Sequence, residues 1–342
     1  MRNIKRLFLG TVATASATAL FAGHAVADPP AVPPVTAVAG VGSDTTENVL
    51  NALATAFDST HKKLVSWDAT PAGNITTKTG APAIARPDGS GAGVTALLAN
   101  QSFTVSGVKR FVVDFARSSG GRSGQATTAV SFVSFAKDAV TWAANSTTNA
   151  PATLTPAQLK AIYACTATKW NQVGGTSTAT IKPVLPQTNS GTRKFFLAAI
   201  GNPTVGSCVT QGVQENEGTN AVFKGTNAPN VMVPYSISKY LAQTVHNHGA
   251  GDQGTLKLKN ISGVAPIVSN KINTAFPAAF QRLVYNVVRT QGGVAGTIGT
   301  GSAGVDLKTI FSSTGYICKS GAAVIADYGF NTLPAAQCGA IS

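Results

Sequence analysis

The sequence predicts an α/β protein built on parallel sheet. Short apolar runs alternate with stretches of helical periodicity along most of the chain, the pattern of strand–helix–strand units. The junctions between them are rich in Gly, Ser and Thr, residues that turn the chain and start helices. With 342 residues and 44% hydrophobic content, the chain can bury about three quarters of its unfolded surface, in one large domain or two lobes. No internal repeat at a fixed period interrupts the pattern.

The elements follow in order. Residues 28–36 are a Pro-rich, extended lead-in. Val35–Val41 reads as a strand, and Ser43-Asp44-Thr45-Thr46-Glu47 opens a helix to about Phe57, with Val49, Leu50, Leu53 and Phe57 on one face. Asp44 followed three residues later by Glu47 fits a capping box. Gly89-Ser90-Gly91-Ala92-Gly93 opens a second helix carrying Val94, Leu97 and Leu98. Val108–Phe115 reads as a strand followed by the loop Ala116–Gly121, and Val130–Phe135 as another strand. Thr155-Pro156 starts a helix, with Pro at its first position. Ile181–Leu185 is a strand, and Thr188–Thr192 opens a helix through Ile200. Asn230–Pro234 is a strand and Ser236–Gln243 a helix, while Phe280–Val288 has a helical pattern.

Composition narrows the class. Lys and Arg number 26 against 13 Asp and Glu, giving +13, yet only 11% of residues are charged, against roughly a quarter in ordinary globular chains. The apolar content excludes a disordered polyelectrolyte. With 35 Gly and 17 Pro, collagen-like and low-complexity classes fall too. The basic residues are scattered and not interleaved with aromatics, so nucleic-acid binding is a poor reading.

The N-terminus predicts export. Arg2, Lys5 and Arg6 precede an apolar or small run from Leu7 to Gly23, and Ala25-Val26-Ala27 offers a small-x-small cleavage signal before Asp28. This is the pattern of a secretory signal peptide over residues 1–27, cleaved after Ala27. A membrane anchor is the weaker alternative, because 17 weakly apolar residues sit at the lower limit of a span. Paired arginines and a lipid-attachment cysteine are both missing from this segment. Cleavage removes three positive charges and no negative one, lowering +13 to +10. The destination is extracytoplasmic, in a periplasm or at the cell surface. Four cysteines, Cys165, Cys208, Cys318 and Cys338, all follow the leader, so two disulfides are expected in an oxidising compartment. Of three connectivities, Cys165–Cys208 with Cys318–Cys338 closes the shortest loops and is expected. No two cysteines have the C-x-x-C spacing of a metal site.

Three helix starts are clusters of hydroxyl and glycine residues: Ser43 to Thr46, Ser90 to Gly93, and Ser190 to Thr192. A fourth such loop, Arg117 to Gly121, follows a strand. Helix starts offer free backbone N–H groups and partial positive charge. Several converging at the carboxyl ends of strands would make an anion site. The plainer alternative is that each cluster caps its own helix.

At these residues the chain resembles the solute-binding proteins of phosphate ABC importers. Ser190-Gly191-Thr192 resembles the Ser-Gly-Thr loop of that family, and Asp114-Phe115-Ala116-Arg117-Ser118-Ser119 resembles its first-lobe anion loop. Leu154–Leu159 through Tyr163, with Lys169-Trp170-Asn171, is similar to a structural segment of the family. Val231–Tyr235 looks like its return crossover, and Tyr328–Pro334 like its C-terminal ending. The resemblance runs from about residue 38 to 334. It implies a two-lobed type 2 periplasmic-binding fold, each lobe a mostly parallel sheet flanked by helices, joined by two hinge crossovers. Lobe 1 would combine residues 36–130 with 237–342, and lobe 2 would be 131–236. The implied function is capture of a small oxyanion, most of all phosphate, by an exported monomeric binding protein that is not an enzyme, uses no cofactor or metal, and hands its ligand to an ABC importer permease.

Two departures stand out. Ser119 occupies the family's usual Asp position, and Pro186, followed by Gln187, occupies that of an Arg. Arg117 and Arg193 are then the candidate cations, Asp44 the first candidate acceptor for a protonated anion and Glu215 the second. The candidate ligand set is therefore Ser43, Asp44, Thr45, Thr46, Ser90, Arg117, Ser118, Ser119, Gln187, Ser190, Gly191, Thr192, Arg193 and Glu215.

Other motifs carry less. Gly299–Gly304 matches G-x-G-x-x-G without a clear strand before it. His246 and His248 have only Asp252 nearby as a further ligand, so a solvated loop fits them better than a metal site. His61 follows a helix end, a favoured place for positive charge. Trp67, Trp142 and Trp170 read as packing residues rather than a sugar platform. A secreted hydrolase would need a nucleophile beside a base, and no G-x-S-x-G elbow occurs. An adhesion or cell-wall protein reusing the fold is the other alternative.

Overall fold

The computed structural model describes residues 28–122, 127–301 and 306–342. The leader expected over residues 1–27 and part of the Gly299–Gly304 motif lie outside the described residues.

The chain folds as alternating strands and helices: β1 (Val38–Gly42), α1 (Glu47–Phe57), β2 (Leu64–Ser66), α2 (Ser90–Leu98), β3 (Phe115–Ser118) and β4 (Val130–Asn145). Next come α3 (Pro156–Tyr163), β5 (Lys182–Pro186), α4 (Gly191–Ala199), β6 (Thr210–Val213), β7 (Val231–Ser236) and α5 (Ile237–Thr244). The chain closes with β8 (Leu256–Leu258), β9 (Gln281–Arg289), α6 (Ala322–Asp327) and β10 (Asn331–Thr332).

The main sheet runs β6-β5-β7-β4-β9-β3-β1-β2, with β8 and β10 also on β4. Its outer pairs are parallel: β2, β1 and β3 at one end, and β6, β5 and β7 at the other. The centre is antiparallel. Residues 130–139 of β4 pair with β9, and residues 140–144 pair with β7. One 16-residue strand thus joins two parallel sheets, with β9 beside its first half.

Period-2 geometry sends alternate side chains of β4 to opposite faces. Phe132 and Val133 enter different apolar clusters, as do Trp142 and Ala143. One pair of clusters covers the two faces of the β1–β2–β3 end; the other covers the β5–β6–β7 end. Trp142 and Trp170 are fully buried and Trp67 nearly so, packing residues as expected. The segment 237–280, expected with lobe 1, sends Ile237, Leu241, Ile261, Ile272, Phe276 and Phe280 into the Trp142–Trp170 cluster at the β5–β7 end.

Several local expectations change. Residues 108–115 are not one strand. Val108–Phe111 forms a hairpin with Ser102–Val105, and β3 starts only at Phe115, so Arg117 belongs to a buried strand rather than a loop. Phe280–Val288 is strand β9, not helix, because it fills the gap between β3 and β4. The Asp44–Glu47 capping box does not form. Thr46 is the N-cap of α1 and makes no side-chain cap bond; the Asp44 and Glu47 carboxylates are drawn to Asn216, Lys239 and the Ala69 N–H instead. The box does form at α3, between Thr155 and Gln158. His61 stands beyond Asp58, which caps the end of α1 and takes the N–H groups of Lys62 and Lys63. His246 and His248 lie part-exposed in the loop after α5, where both face Asp327 and His248 stacks on Tyr328 at 3.9 Å.

Both disulfides join sequence neighbours, Cys165–Cys208 and Cys318–Cys338. Among the described residues no helix is long and apolar enough to cross a membrane, and no group of three His, Cys, Asp or Glu could hold a metal ion.

Candidate functional site

The parallel strands β1, β3 and β5 all end at one cleft between the two halves of the sheet. From one side come Ser43 to Thr46 after β1, Ser90 at the start of α2, and Ser118 and Ser119 at the end of β3. From the other come Gln187 and Ser190 to Thr192 after β5, and Glu215 and Asn216 after β6. Ser43, Asp44, Thr45, Thr46, Ser90, Ser118, Ser119, Ser190, Thr192 and Glu215 are all buried. Buried hydroxyls need partners, and here many lie across the cleft. Thr45 Oγ1 lies 3.1 Å from Thr192 Oγ1 and 3.5 Å from Glu215 Oε2. Asn216 Nδ2 donates to Asp44 Oδ1 at 2.9 Å, and Gln187 Nε2 to Asp88 Oδ1 at 2.8 Å. The Gly91 N–H donates to the Asn189 carbonyl at 3.0 Å.

Gly191 is one point where the two sides approach closely. A Cβ there would stand 2.4 Å from both Ser90 Oγ and Ser119 Oγ, so any side chain would have to displace both hydroxyls. Ser190 caps α4 by accepting from the Arg193 N–H, and its hydroxyl donates to Glu215 Oε2 at 2.7 Å. One residue thus starts the helix and orients the carboxylate.

The expected cations are placed elsewhere. The Arg117 guanidinium donates to the carbonyls of Ser43, Trp67 and Gly42 and to Ser66 Oγ. All three nitrogens are committed to bracing the β1–α1 loop from behind. Arg193 lies at the edge, donating to the Pro186 carbonyl and to Gln211. A cation that does bond a hydroxyl of the cluster is Arg282, on β9. It is buried, donates to Thr192 Oγ1 at 2.9 Å, and pairs with Asp138 of β4 at 2.7 Å. Sequence reasoning missed it because β9 reads as helix. A charged residue within an otherwise apolar segment was the available signal.

Among the described residues, four buried polar atoms around the cleft lack a hydrogen-bond partner: Ser43 Oγ, Thr46 Oγ1, Arg282 Nη1 and Glu215 Oε1. Each such atom is costly unless something meets it, by about 1–3 kcal/mol. The set combines two hydroxyls, one guanidinium nitrogen and one carboxylate oxygen.

Burial dominates the electrostatics. It raises the Glu215 carboxyl above its ordinary value, against the pull of the Ser190 bond and the Arg282 charge. Burial likewise raises Asp44 well above the usual range, although Lys239 opposes it. Lys239 joins the two sides from α5, reaching Glu47 Oε1 at 3.4 Å and Asn48.

Two neighbouring carboxyls set a pH dependence. Burial and the Glu47 charge push Asp68 up to about 6, and burial and Asp252 push Glu217 up to about 7. Their unfolded values lie near 4. A raised carboxyl binds its proton more tightly when folded, so its ionised form costs stability above the folded pKa, and that cost disappears as pH falls. Melting temperature is therefore expected to rise by a few degrees between pH 7.5 and pH 5. Asp58, held at about 2 chiefly by the Thr60 hydroxyl, acts in the opposite sense only below about pH 4. Thermal melts across this range check the sign; a flat or falling melting temperature contradicts it.

Fold and site together define a two-lobed, cleft-forming protein of the periplasmic-binding class. The family model described as the PBP superfamily domain matches residues 13–290, and the chain belongs to that superfamily. Solved structures agree on the architecture. One from Clostridium perfringens, of a proposed phosphate ABC transporter substrate-binding protein with bound phosphate, is 19% identical with a TM-score of 0.56, covering 87% of this chain and all of that one. An ABC-type phosphate transport receptor from Vibrio cholerae is 19% identical with a TM-score of 0.55, again covering 87% of this chain and 100% of that one. A phosphate-binding protein from Stenotrophomonas maltophilia is 13% identical with a TM-score of 0.51, covering 88% and 92%. At these identities the likeness establishes the type 2 periplasmic-binding fold. No curated protein matches the sequence.

Proposed function

We propose that the protein is an exported solute-binding protein that captures phosphate between its lobes and delivers it to an ABC importer at the membrane. The observation that carries this reading is the set of unpartnered buried atoms, Ser43 Oγ, Thr46 Oγ1, Arg282 Nη1 and Glu215 Oε1. The three donors suit the acceptor-rich surface of an oxyanion. The carboxylate oxygen suits the proton of hydrogen phosphate. The structural neighbours from Clostridium perfringens and Vibrio cholerae, both described as phosphate transport proteins, support the same ligand.

In this reading Ser43, Thr45, Thr46, Ser90, Ser119, Ser190 and Thr192 supply hydroxyls, the Gly191 backbone approaches the anion, and Arg282 supplies the charge. Glu215 rather than Asp44 is the acceptor, because Asp44 already receives Asn216 and stands beside Lys239. Arg117, Gln187 and Arg193 hold the loops, and Ser118 borders the cleft. The lobes divide within β4, near Ala139, and before β9, near Phe280. One lobe is then 36–139 with 281–342, and the other 140–280. Ligand contacts from both lobes favour the closed state. The protein binds and releases its ligand without turnover.

Glu215→Gln tests the assignment. Losing a charge-assisted bond of this kind costs about 1.5–3 kcal/mol, roughly tenfold to 150-fold in phosphate affinity. Sulfate carries no proton at neutral pH, so its binding is expected to weaken less or to improve. Calorimetry of both proteins with both anions decides between these outcomes. Wild-type protein that binds neither anion defeats the oxyanion reading, and unchanged phosphate binding in the variant moves the acceptor elsewhere.

A further inference from the structure

Glu215 is held from two directions. Its carboxylate receives the Ser190 hydroxyl at 2.7 Å. Its backbone N–H donates to Gln187 Oε1 at 3.1 Å. The other end of the Gln187 amide reaches across the cleft, where Nε2 donates to Asp88 Oδ1 at 2.8 Å. Gln214, the residue before Glu215, donates its own Nε2 to the same oxygen at 3.2 Å. One carboxylate oxygen therefore collects two amides, and both belong to the immediate support of Glu215.

The backbone brings Asp88 within reach. It forms a parallel bridge with Gly42 at the end of β1, and Gly89 after it is the N-cap of α2. Gly89 has a φ of +95°, and a Cβ on it would stand 2.6 Å from the Asn189 carbonyl oxygen. Glycine at that position lets the Asp88 segment lie against the loop after β5. Asp88, Gln187 and Gln214 are all half-buried there. The chemistry of the partners then fixes the Gln187 amide. An ionised carboxylate only accepts and a backbone N–H only donates. Turned over, the amide would set its oxygen against Asp88 and its NH₂ group against the Glu215 N–H. Asp88 thus selects the orientation in which Gln187 accepts from Glu215.

We propose that Asp88 is a positioning residue for the anion's proton acceptor: by fixing Gln187 and Gln214 from the opposite side of the cleft, it holds Glu215 where Oε1 meets the proton of hydrogen phosphate. The inference rests on the reading of Glu215 as that acceptor. Glu215 Oε1 is buried with no protein partner, so its placement decides what it can accept. Asp88 makes this contribution through Glu215 and not by touching the ligand.

A double-mutant cycle tests the route. Calorimetry measures phosphate affinity for the wild type, Asp88→Ala, Asp88→Asn, Glu215→Gln and the Asp88→Ala/Glu215→Gln double variant. Asp88→Ala alone is expected to weaken phosphate about fivefold to tenfold, the scale of one net hydrogen bond. In the Glu215→Gln background the same change is expected to cost less than about twofold, because the group it acts through is gone. That small cost also shows that removing the Asp88 carboxylate leaves the protein folded. Asp88→Asn keeps an acceptor oxygen for both amides and is expected to stay within about twofold of the wild type. An Asp88→Ala protein with wild-type affinity overturns the proposal. So does a loss of equal size in both backgrounds, which assigns Asp88 a purely structural role. Asp88→Asn as weak as Asp88→Ala overturns it too, since charge and not the acceptor oxygen then matters. If Glu215→Gln alone leaves phosphate binding unchanged, the acceptor reading fails, and if the wild type binds no phosphate, the phosphate reading fails; each takes this inference with it.

Discussion

Replacing Arg282 with alanine is expected to abolish phosphate capture and to destabilise the fold by about 3–5 kcal/mol. The large effect comes from what remains. Asp138 is fully buried on β4, and its Oδ2 accepts two bonds from Arg282, at 3.0 and 2.7 Å. Ser236 and the Ser238 N–H also bond this carboxylate, but neither carries a balancing charge. Arg282→Lys separates the two effects. An ammonium keeps the charge and loses the planar fork that serves Asp138 and Thr192 together. This variant is expected to remain folded and to bind phosphate about tenfold to 150-fold more weakly, the range for a lost charge-assisted bond. Urea unfolding and calorimetry give the two numbers. A folded Arg282→Lys protein with wild-type phosphate affinity removes Arg282 from the site.

Removing the disulfides is the second large effect. They span 43 and 20 residues of sequence. Loop-closure entropy assigns them about 4 and about 3 kcal/mol respectively. Cys165–Cys208 ties the segment after α3 to the strand region before β6 in one lobe. Cys318–Cys338 anchors the C-terminal segment that packs along β4 in the other. Each Cys pair replaced by Ser is expected to lower unfolding free energy, with the Cys165–Cys208 replacement costing more. Urea titrations of the two double variants measure the order. Equal losses, or a larger one from Cys318–Cys338, contradict the entropic account. A stability that depends on both bonds suits an oxidising compartment.

Much of the fold was legible because its signals are local. Thr155-Pro156 starts a helix, and Ser190-Gly191-Thr192 caps one, through bonds made within three residues. The hydroxyl-rich loops could therefore be picked out one by one. Their convergence could be expected from the rule that ligands sit at the carboxyl ends of parallel strands. Glu215, the acceptor we propose, was legible only as a second choice. Asp44 lies in such a loop, but Asn216, which takes its carboxylate, is 172 residues away.

The segments that misled are those buried on both faces. Phe280, Leu283, Val284, Val287 and Val288 have the spacing of one helical face. In the structure Val284 and Val288 enter one cluster and Val287 another, the pattern of a central strand without clean alternation. Arg282 and its bonds to Asp138 and Thr192 disappeared from view with that strand. Arg117 shows the converse. As a loop residue it would be a free cation near an anion, but as part of β3 its donors are taken by carbonyls.

The sequence by itself determined much of the element order, the hydroxyl-rich helix starts and the α/β class, because short-range propensity and apolar pattern specify these, and its family resemblance implied the two-lobed plan. Only the tertiary structure decided that Arg282 meets Thr192 while Arg117 faces backbone carbonyls, that β4 pairs with β9 in its first half and β7 in its second, and that Gly191 packs against two serine hydroxyls. Those outcomes depend on contacts between residues far apart in sequence, where burial and partner geometry override what each residue prefers alone.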